Sequence, residues 1–101
     1  MKITVTVKTQ AEIQPTKPLS TLELYNLAKT VAGNTLSVTI EDSDTVQQLA
    51  DAADKLMNVD PALTIKEKVV EHGNTLDLTA TLAAAGVADG DVVTYSYVII
   101  A

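Results

Sequence analysis

The 101-residue chain is 47% hydrophobic, enough for one domain with a core that needs no covalent staple. It has no cysteine, all its basic residues are lysines and its net charge is −6. Disulfides, thiolate zinc sites and cysteine nucleophiles are therefore excluded, and nucleic acid and anionic membranes are poor partners, because bidentate phosphate grips are missing and an acidic surface repels polyanions.

Met1 to Lys8 alternates strictly, with Met1, Ile3, Val5 and Val7 on one face and Lys2, Thr4, Thr6 and Lys8 on the other, which predicts a half-buried strand. The polar stretch from Thr9 to Pro18, with Pro15 and Pro18, reads as a loop. Ser20-Thr-Leu-Glu23 is a capping box, and Leu19 with Leu24 a hydrophobic staple, so a helix is predicted from about Thr21 to Ala32. Its inward face is expected to be Leu24, Leu27, Ala28 and Val31, with Gly33-Asn34 closing it.

Leu36, Val38 and Ile40 alternate in a second strand, Thr35 to Ile40. Glu41-Asp-Ser-Asp44 then leads into Thr45, an N-cap with Gln48 as its reciprocal partner, and the acids suit the positive end of the helix dipole. Val46, Leu49, Ala50, Ala53, Leu56 and Met57 form the buried stripe of this helix, with Asp51 and Lys55 an exposed pair. It should end near Asn58, ahead of Val59-Asp-Pro61. A third strand is predicted from Leu63 or Thr64 to Glu71, a turn at His72-Gly-Asn74, and a short fourth strand over Thr75–Thr79. One helical turn at Thr81–Ala85, a reversal at Asp89-Gly90 and a last strand from Val92 to Ile100 complete the order. In that last strand Val93, Tyr95, Tyr97 and Ile99 should face the core, and Val92, Thr94, Ser96 and Val98 outward.

Four landmarks in this order resemble the ubiquitin-like β-grasp family. They are Met1-Lys-Ile-Thr-Val5, Val38 through the Ser-Asp-Thr cap to Val46, Val69-Val70 ahead of Glu71-His-Gly-Asn74, and Thr81-Leu82 through Gly86-Val-Ala-Asp-Gly-Asp91 to Val93. The resemblance implies an α+β fold: a mixed sheet on one main helix, with the first and last strands parallel at its centre. It implies one ubiquitin-like domain over residues 1–101, in which residues 9–34, with their own capped helix, replace the family's tight first hairpin. Conjugated members end in Gly-Gly, whereas Tyr97-Val-Ile-Ile-Ala101 closes this sequence, so a member that is not itself conjugated is expected. The positions matching the aliphatic patch of ubiquitin are Lys8, Val70 and Ser96, of which Val70 alone is aliphatic.

No residues form a catalytic constellation. His72 stands without a neighbouring nucleophile and reads as a solvated turn residue, Glu41, Asp42 and Asp44 lack the glycine and distant glutamate of a calcium loop, and Asp89-Gly-Asp91 reads as a turn. The expectation is a non-enzymatic protein-binding module, an adaptor or scaffold without cofactor or metal. Its contact residues are expected to be Val70, Lys68, Thr94 and Ser96 on the outer sheet face and Leu22 and Tyr25 on the inserted helix. The alternative is a structural or assembly subunit of a larger complex or homo-oligomer, of the secretion- or oxygenase-associated β-grasp type that the last third resembles. No leader-like start and no apolar run near the ~20 residues of a membrane span are visible, so a soluble, cytoplasmic protein is expected.

Overall fold

Alternation and capping convert into the order β1 (Lys2–Gln14), α1 (Thr21–Val31), β2 (Thr35–Glu41), α2 (Val46–Met57), β3 (Thr64–Glu71) and β4 (Val92–Ile100). The computed structural model describes residues 1–31, 33–58 and 63–100, with backbone alone at 26 and 28–31. The expected closure of α1 at Ala32 and the break at Val59-Asp60-Pro61 lie outside the described residues, as do the side chains of Ala28 and Val31.

The strands form one mixed sheet in the order β2-β1-β4-β3, with β1 and β4 parallel at the centre and the outer pairs antiparallel. Ile3, Val5 and Val7 of β1 and Val93, Tyr95, Tyr97 and Ile99 of β4 are buried on one face. Against them α2 lays Val46, Leu49, Ala50 and Ala53. Each large aliphatic side chain so removed from water contributes about 1.5–3 kcal/mol. Leu56, expected in this stripe, is 57% exposed, while Met57 beside it packs against the core with its Sδ accepting from the Tyr97 hydroxyl at 3.5 Å.

Both ends of α2 carry the expected chemistry. Gln48 N donates to Thr45 Oγ1 (3.2 Å) while Thr45 N donates to Gln48 Oε1 (2.8 Å). Asn58 closes the helix in the left-handed region at φ 55°, which asparagine tolerates. The amides of Val46 and Gln47 are taken by the carbonyls of Ala80 and Leu78. That role explains why Thr75–Thr79 is not the predicted strand. One bridge joins Glu71 to Thr75, after which Asp77 Oδ1 captures Thr79 N and Oγ1 and curls the chain toward the helix start. Thr81–Ala85 makes the expected single turn, with Ala85 N bonded to Thr81 O.

The main departure is β1. The predicted loop begins as strand, and pairing with β4 runs on from Thr9↔Tyr95 to Gln14↔Ile100. The alternation persists in a polar disguise: Thr9, Ala11 and Ile13 point inward while Gln10, Glu12 and Gln14 face out. Pro15, which has no amide to donate, follows the last paired residue. β2 pairs β1 only from Lys2 to Lys8, so the second half of β1 has no strand on that side among the described residues.

The helix α1 bridges the same distance. Eleven residues rise ~16 Å in a helix, close to the ~16 Å from Thr9 to Gln14 along a strand. The chain therefore returns beside Thr9, whose amide donates to Asn34 O (2.9 Å) and whose Oγ1 accepts from Asn34 N (3.0 Å). Ser20 caps α1 as predicted, its Oγ accepting from Glu23 N at 3.1 Å. Leu27 is buried, but Leu24, expected inward, is 47% exposed. A helix packed chiefly on one strand buries a narrow stripe and leaves the flank wet.

Candidate functional site

The outer face of the sheet has no helix over it among the described residues, and its centre is β4. Thr94, Ser96, Val98 and Ile100 alternate there with the buried core residues, each half-covered by neighbouring strands. Register places Lys8 and Glu71 on either side of Thr94, Gln10 and Val69 beside Ser96, and Glu12 and Lys66 beside Val98. Thr94 and Ser96 thus lie where alternation along the last strand puts them.

Two expected members do not lie there. Val70 is 1% exposed, opposite Tyr95 on the core face. Lys68 points to the helix layer, its ammonium 3.0 Å from Asp54 Oδ2 and 3.5 Å from Asp51 Oδ1. One β-bulge between Lys66 and Val69 causes both corrections, with Glu67 held at φ 55°. A bulge inserts an extra residue and inverts the inward–outward parity of the strand beyond it, so Val69 takes the outward place. On α1, Leu22 is 68% and Tyr25 60% exposed. Val69, Val98, Gln10 and Glu12 join this face without being expected as contact residues from the sequence. Val98 was legible from alternation; the others depend on the bulge and on the hidden half of β1.

Behind the sheet, Tyr95 donates its hydroxyl to Asp54 Oδ1 (2.9 Å), and Asp54 receives Lys68 on its other oxygen. Asp51, expected to pair with Lys55, instead accepts from Gln47 Nε2 (2.9 Å) and faces Lys68. Among the described residues no buried side-chain polar atom lacks a partner. Burial alone would lower the Lys68 ammonium, but the Asp54 hydrogen bond and the charges of Asp54 and Asp51 together raise it above the ordinary lysine value. Burial, then the Asp54 charge, push the Tyr95 phenol far up, and the same two causes raise Tyr97.

All three groups hold their protons more tightly in the folded chain than in the unfolded one. Their stabilisation is complete below the unfolded values and is lost as pH climbs above about 10. Unfolding free energy followed against pH should therefore be flat through neutrality and decline from about pH 10, and Tyr95→Phe should shallow that decline. A wild-type slope unchanged in Tyr95→Phe would show that the phenol is not coupled to folding.

His72 is half-buried rather than freely solvated, with Nε2 3.1 Å from Asp91 Oδ2, an oxygen that also accepts from Ala88 N. It ties the turn after β3 to the loop before β4, a cross-link between segments distant in sequence. Among the described residues no group of three or more histidines and acids is placed to hold a metal ion, and no helix is long and apolar enough to cross a membrane.

No protein-family model matches the sequence, and no curated protein does. Solved structures do match in shape. The UBL domain of Plasmodium falciparum Dsk2 is 21% identical with a TM-score of 0.55, the match covering 96% of this chain and 99% of that one. A de novo design based on ubiquitin is 17% identical with a TM-score of 0.50, over 93% of this chain and 85% of the design. With parallel central strands, a capped helix across their inner face and these neighbours, the chain has the ubiquitin-like α+β fold.

Proposed function

We propose that this chain is a non-catalytic ubiquitin-like module that binds a partner protein through the outer face of its sheet, as an adaptor or scaffold domain without a cofactor. The observation that carries this reading is the uncovered strip Thr94, Ser96, Val98 and Ile100 beside Val69, where small hydroxyls and aliphatic groups sit half-buried on a rigid support. Such a mixture of adaptable polar and apolar contacts suits a protein surface. In an isotope-labelled sample titrated with ubiquitin-receptor peptides and with fractions of a cell lysate, shifts should concentrate on Val69, Ser96 and Val98. An outer face that never responds, while other surfaces do, overturns the assignment.

The exposed apolar side chains of α1 favour a second reading, an assembly subunit joined through that helix. Leu22, Leu24 and Tyr25 are 68%, 47% and 60% exposed, more apolar surface than one helix flank needs in a monomer. Sedimentation separates the two readings. Self-association that Leu22→Glu abolishes would favour assembly, and a monomer at millimolar concentration removes the homo-oligomer.

A further inference from the structure

The outer face carries a groove of about 520 Å³, bounded by Gln10, Glu12, Glu67, Val69, Ser96 and Val98. It exists because β1 runs past Lys8: Gln10 and Glu12 belong to the half of β1 that pairs with β4 alone. It is lined by the small hydroxyl of Ser96 and the aliphatic Val98 and Val69, and by two acidic residues, Glu12 from β1 and Glu67 from β3. Neither is in an ion pair among the described residues. The outer-face lysines are near but outside it, Lys66 across Val98 from Glu12 and Lys8 beside Thr94, and no lysine lines the groove.

Glu67 is there by conformation as well as by sequence. It stands at φ 55° in a bulge, a left-handed backbone that a glutamate adopts only at a cost, and that bulge sends Lys68 to the helix layer while Glu67 borders the groove. Strain of this kind persists where the surrounding structure imposes it, and bulges commonly serve to re-aim a side chain.

Resting on the docking reading above, we infer that this groove takes a basic segment of a partner protein, one that seats an aliphatic side chain over Ser96 between lysines or arginines that reach Glu12 and Glu67. The charge sign is the discriminating feature, since the aliphatic lining alone would accept an aliphatic group from any peptide.

The probe is a short peptide alternating lysine and leucine, set against its counterpart with glutamate for lysine, each titrated into the isotope-labelled full chain at low salt. The basic peptide should shift Gln10, Glu12, Glu67 and Ser96. The double variant Glu12→Gln/Glu67→Gln should bind it roughly three- to tenfold more weakly, a gap that closes as salt is raised. Asp77→Asn removes one charge, as Glu12→Gln alone does, but beside the start of α2 on the opposite layer, and should leave affinity unchanged; a loss there as large as that from Glu12→Gln means attraction to net charge alone and overturns the inference. Equal or tighter binding of the acidic peptide at the same residues overturns the charge assignment while the docking surface stands. If the groove is instead filled by a second copy, seen as self-association abolished by Ser96→Arg, the inference is also overturned.

Discussion

Leu82→Ala should lower the unfolding free energy by about 3–5 kcal/mol, although Leu82 belongs to no helix or strand. The side chain is wholly buried in the common core. Its amide donates to Asp44 O (2.8 Å), and its carbonyl accepts from Val87 N (2.9 Å). With Thr81 bridged to Thr45 and Ala83 N bonded to Asp42 O, backbone bonds on both sides pin the turn, so it cannot collapse into the space the missing methyl groups leave. The cost of such a deletion grows with the cavity that remains. At ~4–8 °C per kcal/mol for a domain of this size, the melting temperature should drop by more than about 10 °C. Leu56→Ala, at a side chain 57% exposed, should move stability by no more than ~0.5 kcal/mol. Denaturant titration of the two variants checks both values. Equal effects would place Leu56 in the core, contrary to the packing described.

Asp54→Ala should cost about 2–4 kcal/mol, through a different mechanism. Removing this carboxylate takes the acceptor from the Tyr95 hydroxyl and the nearer counter-ion from Lys68, both at sites shielded from water. Asp54→Asn keeps an acceptor for the phenol and loses only the charge, so it should cost less. Because Tyr95 and Lys68 share the one carboxylate, Asp54→Ala and Tyr95→Phe should not add: the double variant should be more stable than the sum predicts, by about 0.5–3 kcal/mol. Strict additivity in chemical denaturation would mean that the Tyr95–Asp54 bond contributes nothing to folding. The same network fixes the bulged part of β3 against α2. Asp54→Ala should therefore also disturb Glu67 and Val69 on the opposite face, visible as amide shifts across the groove.

These couplings bear on how the proposed docking face is held. Val69, Ser96 and Val98 are presented by strands whose other sides pack on the core beneath α2. A partner meeting it gains from a preformed shape and loses little to ordering.

Local signals alone determined most of the elements. The Thr45–Gln48 and Ser20–Glu23 boxes started both helices where the structure has them, since a cap is a contact between residues three apart. Strict alternation determined β2, β4 and the first half of β1, and the outward positions of Thr94 and Ser96, since a strand in a two-layer domain must put every second residue in the core. Tertiary pairing decided the rest. Thr9 to Gln14 became strand because β4 lay alongside to accept it, a partner more than eighty residues away that no local window contains. Thr75–Thr79 lost its strand because Asp77 captures Thr79 and the chain turns the carbonyls of Leu78 and Ala80 to the start of α2. Val70 went inward and Val69 outward because one bulge at Glu67 inverted parity, allowing Lys68 to reach Asp54. Periodicity reports a single residue's neighbours along the chain, whereas register, bulges and the charge lining a groove are properties of pairs brought together by folding.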